Sequence, residues 1–172
     1  MDAVTRFLDR REAMLQRLDE QLQQAADPSE VASALCEHTG RELNLADCVV
    51  YLPAGSDTLV QAAAWGARRG AALAARLRLP YEGLVGSCAV TLRTQRIDDL
   101  GHDSRDVADA QVHLCELAVP IAHEGVLLGI LDSESPEPRF YDSRYEAAFA
   151  AIAERGASRL WQLQPRRDAV KG

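Results

Sequence analysis

No stretch of this sequence is apolar for long enough to cross a bilayer, and it carries no excess of positive charge. Lysine and arginine number 19 against 26 aspartates and glutamates, a formal net charge of -7. A protein that gains affinity by releasing counterions from phosphates needs the opposite sign, so nucleic acid is not expected as a partner, and neither is a membrane. Cys36, Cys48, Cys88 and Cys115 form no CxxC pair, which removes the signature of a zinc ribbon or a thioredoxin-like site. There is no nucleophile elbow, phosphate loop or HExxH helix, so no motif demands an enzyme. The opening MDAVTRFLDRREAML is charged from its second residue and does not read as a signal peptide, so a cytoplasmic chain with reduced cysteines is expected.

What is present suits one domain with appendages: 172 residues, 47% of them hydrophobic, suffice for one core. Residues 1–26 contain neither glycine nor proline and predict one amphipathic helix. Val4, Arg11, Leu18 and Ala25 recur every seventh position, and Leu8, Leu15 and Leu22 form a companion row. Such a stripe packs on its own domain or on a second copy, and the heptad spacing favours a dimerisation helix and a homodimer. Asp27-Pro28-Ser29-Glu30 restarts the chain as a helix, with Asp27 as N-cap and Glu30 in the capping-box position. CVVYLP and TLVQAAAW read as a strand hairpin, RLRLP and QRIDD as short strands, and Val85 to about Arg93 as a helix between them. Ser143-Arg144-Tyr145-Glu146 reads as the capping box of a last helix, and residues 164–172 as a polar tail.

The run LCELAVPIAHEGVLLGILDSE reads as two strands turning at His123-Glu124-Gly125. In the first strand Leu117, Val119 and Ile121 share one face, and Glu116, Ala118 and Pro120 the other. The first face belongs to a core. The second is smaller and carries a carboxylate that must be paired or wetted, which suits a pocket or a structural ion pair with an arginine such as Arg93 or Arg105. Asp132-Ser133-Glu134 reads as the end of the second strand and the start of a turn into Pro136. Trp65, ending a strand beside Gly66, could wall a pocket or cap the core. The polar loop from Gly101 to His113 holds Asp103 and other groups able to ligate metal, but its composition is that of an exposed pocket rim and no metal is expected.

Two pieces resemble the GAF domain family: RLRLPYEGLVGSCAVTLRTQRIDDLGHDSRDV and CELAVPIAHEGVLLGILDSESPEPRFYDSRYEAAFAAIA. The resemblance spans most of the chain, from about residue 28 to 160, within a domain bounded at 27–163. It implies an α+β fold, an antiparallel sheet of about six strands with the terminal helices on one face and a lidded small-molecule pocket on the other. It implies a sensory module that dimerises through its terminal helices, with ligand contacts expected from Trp65, Val85, Ile97, Asp99, Asp103, Glu116 and Ala118. The family often accompanies a kinase, cyclase or phosphatase, so an effector protein in trans is expected. No cofactor is assigned: no cysteine has the context expected for bilin attachment, and no phosphate-recognition motif marks a cyclic nucleotide. One branch, the free methionine-(R)-sulfoxide reductases, is enzymatic and carries a cysteine inside its Gly-x-x-Gly turn. Here that turn is Gly83-Leu84-Val85-Gly86, so catalysis is not expected. A third possibility is a GAF fold that has lost its ligand and acts as a dimerisation scaffold.

Overall fold

The computed structural model describes residues 3–66, 76–78, 83–99 and 115–165, with side chains described from residue 10 and that of Arg76 excepted. The expected rim loop with Asp103, and the polar tail beyond residue 165, lie outside the described residues.

Helix α1 runs Ala3–Gln24 and α2 Pro28–Glu42. The expected restart between them is present with Asp27 as N-cap: Glu30 N donates to Asp27 Oδ1 at 2.9 Å, and the Glu30 side chain reaches back one residue beyond the usual capping-box partner, accepting from Ala26 N at 2.7 Å. Strands β1 (Asp47–Pro53), β2 (Thr58–Gly66) and β3 (Arg76–Arg78) follow, then α3 (Gly83–Thr91) and β4 (Gln95–Ile97). The hairpin β5 (Cys115–His123) and β6 (Val126–Ser135) leads into α4 (Ser143–Leu163). The N-cap of α4 is Asp142 rather than the expected Ser143; its carboxylate accepts from Arg144 N and Tyr145 N. Glu146 is released from capping and instead accepts from Arg96 at 2.7 Å.

The six strands form one antiparallel sheet in the order β3-β2-β1-β6-β5-β4. Alternation along β5 sorts the two faces as the sequence predicts. Leu117, Val119 and Ile121 join the core under α1, α2 and α4, while Ala118 packs with Val49, Tyr51 and Ile130 against Leu84, Val85 and Cys88 of α3.

The leucine row of α1 is the main departure. Leu15, Leu18 and Leu22 are at most 5% exposed within the single chain, where they join a core with α2 and α4. The side chain of Leu8 lies outside the described residues, and Arg11, expected within the seam, is exposed. An amphipathic stripe records that a face must be buried and leaves open what buries it; here α2 and α4 bury it. Polar ties reinforce the docking. Arg17 meets Glu42 at 2.8 Å, Arg155 pairs with Asp19, and Arg159 Nη2 reaches the Ala25 carbonyl at 2.7 Å, closing off the C-terminal end of α1.

His38 of α2 lies in this helical layer, 3% exposed, and its Nε2 has no hydrogen-bond partner. Burial lowers its pKa, partly opposed by Glu42 and by the bond with the Met14 backbone, and assisted by Arg17 and Arg41. The neutral form is therefore the folded one, and stability drains away as pH falls from the ordinary value of 6.5 through the lowered folded pKa. Denaturant unfolding at about pH 7.5 and about pH 5 is expected to show a larger acid loss for the wild type than for His38→Leu. Equal losses would place the acid sensitivity elsewhere.

Candidate functional site beneath the short helix

The sheet face covered by α3 gathers the polar groups. Glu116 of β5 stands directly opposite Glu134 of β6, and Asp132 stands opposite Ala118. By alternation all three carboxylates project to the α3 side. One oxygen from each of Glu116, Asp132 and Glu134 lies within 4.8 Å of the others. Asp47, in the same row on β1, accepts from Glu134 N at 2.8 Å and is 1% exposed. Asp132 is equally buried. Like charges opposite one another repel, so such a group is stable only with positive charge or protons among it. Oxygen-only donors of this kind suit an ammonium group or a hard cation.

Asp132 and Glu134 are functional candidates that the sequence reading missed. The expected turn at Asp132-Ser133-Glu134 does not form there: β6 continues to Ser135. Ser133 points the other way, donating to the Asp47 carbonyl at 2.5 Å and lying 2.6 Å from Tyr141 Oη. Its single proton is spent on that carbonyl, so Tyr141 is the donor to Ser133. One strand thus braces the helical core with its serine and presents carboxylates with the residues on either side.

Of the other expected contacts, Val85 lies on the buried side of α3, Ala118 is fully buried beneath it, and Ile97 is partly buried against the same cluster, opposite Glu116. Asp99 is partly buried just beyond β4. Trp65 does not join them. Its indole packs on the helical side, where a Cβ on Gly40 would come within 2.2 Å of the ring, and the Arg41 guanidinium sits 5.8 Å from the ring centroid. The cause is a bulge: Tyr51 pairs with Gln61 but Val50 pairs with Ala63, so the extra residue turns Trp65 to the face opposite Gln61.

All four cysteines are buried. Burial pushes the Cys88 thiol up to about 12, with the Asp132 and Glu116 carboxylates adding to the effect, which also puts Cys88 within their field. Burial likewise raises Cys48 and Cys115. A separate groove of about 260 Å³ opens between the β5–β6 hairpin and the end of α4, lined by Leu52, Leu127, Leu128 and Leu160, and includes none of the carboxylates. No helix among the described residues is long and apolar enough to cross a membrane.

Comparison with solved structures places the chain beside three informative neighbours. The GAF domain of an Acinetobacter phosphoenolpyruvate-protein phosphotransferase superposes with a TM-score of 0.79 at 15% identity, covering 94% of this chain and 95% of that one. Free methionine-R-sulfoxide reductase from Neisseria meningitidis, solved with its substrate, gives 0.78 at 18% identity, covering 89% of each chain. A methyl-accepting chemotaxis protein fragment gives 0.73 at 16%, covering 85% of this chain and 96% of that one. At these identities the likeness is one of fold. No curated protein matches the sequence. The GAF domain model, however, matches residues 25–160, well over half the chain. This chain belongs to the GAF domain family.

Proposed function

We propose that this chain is a non-catalytic sensory or regulatory module that binds a small molecule on the α3-covered face and conveys its presence to α1 and α4. The convergence of the Glu116, Asp132 and Glu134 oxygens beneath α3 carries the reading, because it gathers acceptor oxygens that a cationic or proton-donating ligand group can share. The route outward is physical: Ser133, between two of those carboxylates, bonds to Tyr141, whose ring meets Phe149 of α4 at 6.3 Å between centroids. A ligand that favours one setting of β6 can thereby bias the terminal helices. Reductase chemistry needs an accessible thiolate, and buried thiols with raised pKa values are poor nucleophiles. An effector protein in trans, such as a kinase, cyclase or phosphatase, and assembly as a homodimer complete the proposal on family grounds, the dimer using surfaces other than the buried leucines. Sedimentation showing only monomer at high concentration removes the dimer.

Native mass spectrometry of freshly purified protein is expected to show a retained small molecule that is lost from Glu116→Gln and Asp132→Asn. Hydrogen exchange in the ligand-bound protein should be slowed in α1 and α4 as well as around α3. Adducts equally retained by folded variants would move the site elsewhere, and protection confined to the α3 face would leave binding without signalling.

A further inference from the structure

His38 is a basic group sealed into the seam between α1 and α2 with one ring nitrogen idle. It lies in the second half of α2, 3% exposed, and its Nε2 has no hydrogen-bond partner. Its bond to the Met14 backbone crosses the seam to α1. One turn further along, Arg17 of α1 holds both oxygens of Glu42, through Nε at 3.3 Å and Nη2 at 2.8 Å. The charges that face the imidazole are Arg17 from α1, and Glu42 and Arg41 from α2 itself. β1 and β2, packed against α2, bring Cys48, which burial keeps protonated, with Val50, Ala63 and Trp65. From α4, Arg155 pairs with Asp19 and Arg159 with the Ala25 carbonyl, so both are engaged on the α1 side. A proton on His38 would therefore be a buried charge beside two arginines and one carboxylate that Arg17 already occupies. Its new N–H would lack an acceptor as well. Either water enters the seam or Glu42 leaves Arg17, and both loosen the hold of α2 on α1.

We propose that His38 is an acid trigger for α1: its protonation frees α1 from α2 while the sheet stays folded. α1 can leave alone because it packs on α2 and α4 and makes no comparable contact with any described strand. The trigger does not depend on the ligand site, yet it acts on one of the two helices to which that site is proposed to report. Burial lowers the pKa of His38 in the docked state, so docking is at full strength above the ordinary value of 6.5. It weakens as pH falls from there through the lowered docked pKa. Glu42 stays anionic across this window, since its bond to Arg17 holds it below the ordinary carboxylate range.

Amide hydrogen exchange on the full chain, corrected for the intrinsic rate at each pH, tests this alongside an NMR titration of the His38 ring. A helix draws most of its stability from packing, so the amides of a released α1 exchange. They are expected to open at least about 10-fold more often than those of β1 and β6 at either pH. Their opening constant should rise about 10-fold from about pH 7.5 to about pH 5.5, the factor by which the neutral fraction of a free imidazole falls over that range. His38→Leu and His38→Phe should remove the rise, and the His38 ring of the wild type should titrate below 6.5. Amides of α1 that open no more often than those of β1 and β6 overturn the release of α1 alone, making the acid response global. An unchanged α1 opening constant in the wild type, a rise retained in folded variants, or a His38 midpoint at or above 6.5 overturns the trigger. Should neither variant fold, the two wild-type readings decide, since each can fail by itself.

Discussion

Leu18→Ala is expected to lower the free energy of unfolding by about 2–5 kcal/mol. Leu18 has no exposed surface and lies in the layer that α1 shares with α2 and α4. Truncation removes the transfer energy of the lost atoms and leaves a cavity that a close-packed helical layer can only partly fill. Urea unfolding followed by circular dichroism measures the effect. The alternative, an α1 serving only to bind a second copy, predicts a weakened dimer of little-changed intrachain stability. A loss well under 1 kcal/mol would show that α1 docks loosely and that its burial contributes little.

Phe149→Ala should cost more, about 3–5 kcal/mol, corresponding to a fall in melting temperature of roughly 6–20 °C for a chain of this size. Phe149 is fully buried in α4 and meets Tyr141 edge-on. Tyr141 in turn holds Ser133, the residue between Asp132 and Glu134. The variant should therefore weaken ligand binding even though Phe149 lies on the opposite side of the sheet from the carboxylates. Scanning calorimetry gives the first effect and titration of any retained ligand the second. A large stability loss with unchanged affinity would separate the helical core from the site and remove Tyr141 as the link.

The elements were legible in the sequence where local chemistry decides them. Asp27 and Glu30 fix the start of α2 by bonds spanning three or four residues, and alternation along β5 assigns Leu117 and Ala118 to opposite faces without reference to any other strand. What was missed depends on register. That Glu134 stands opposite Glu116 follows from strand pairing across the hairpin, while Asp-Ser-Glu before Ser-Pro has the local composition of a turn. Trp65, which the sequence left open between pocket wall and core cap, falls on the core side because a single extra residue in β2 inverts every later side chain, and no glycine or proline marks the bulge between Gln61 and Ala63. The leucines of α1 were assigned to the wrong partner because spacing specifies a stripe, and only tertiary structure specifies what covers it.

The bond between Arg155 and Asp19 joins residues 136 positions apart, and Arg159 reaches nearly as far back to Ala25. Contacts of such separation carry a high loop-closure cost and slow the search for the native state. On a ribosome α1 emerges well before α4, yet Arg155 and Arg159, which tie it to α4, are among the last residues described. Until α4 is made, Leu15, Leu18 and Leu22 lack part of their cover, so the nascent chain carries an apolar helix that chaperones can recognise. Completion of α4 is then the step that commits the domain, and a translational pause shortly before residue 143 would prolong the interval in which its first helix is available to the wrong partner.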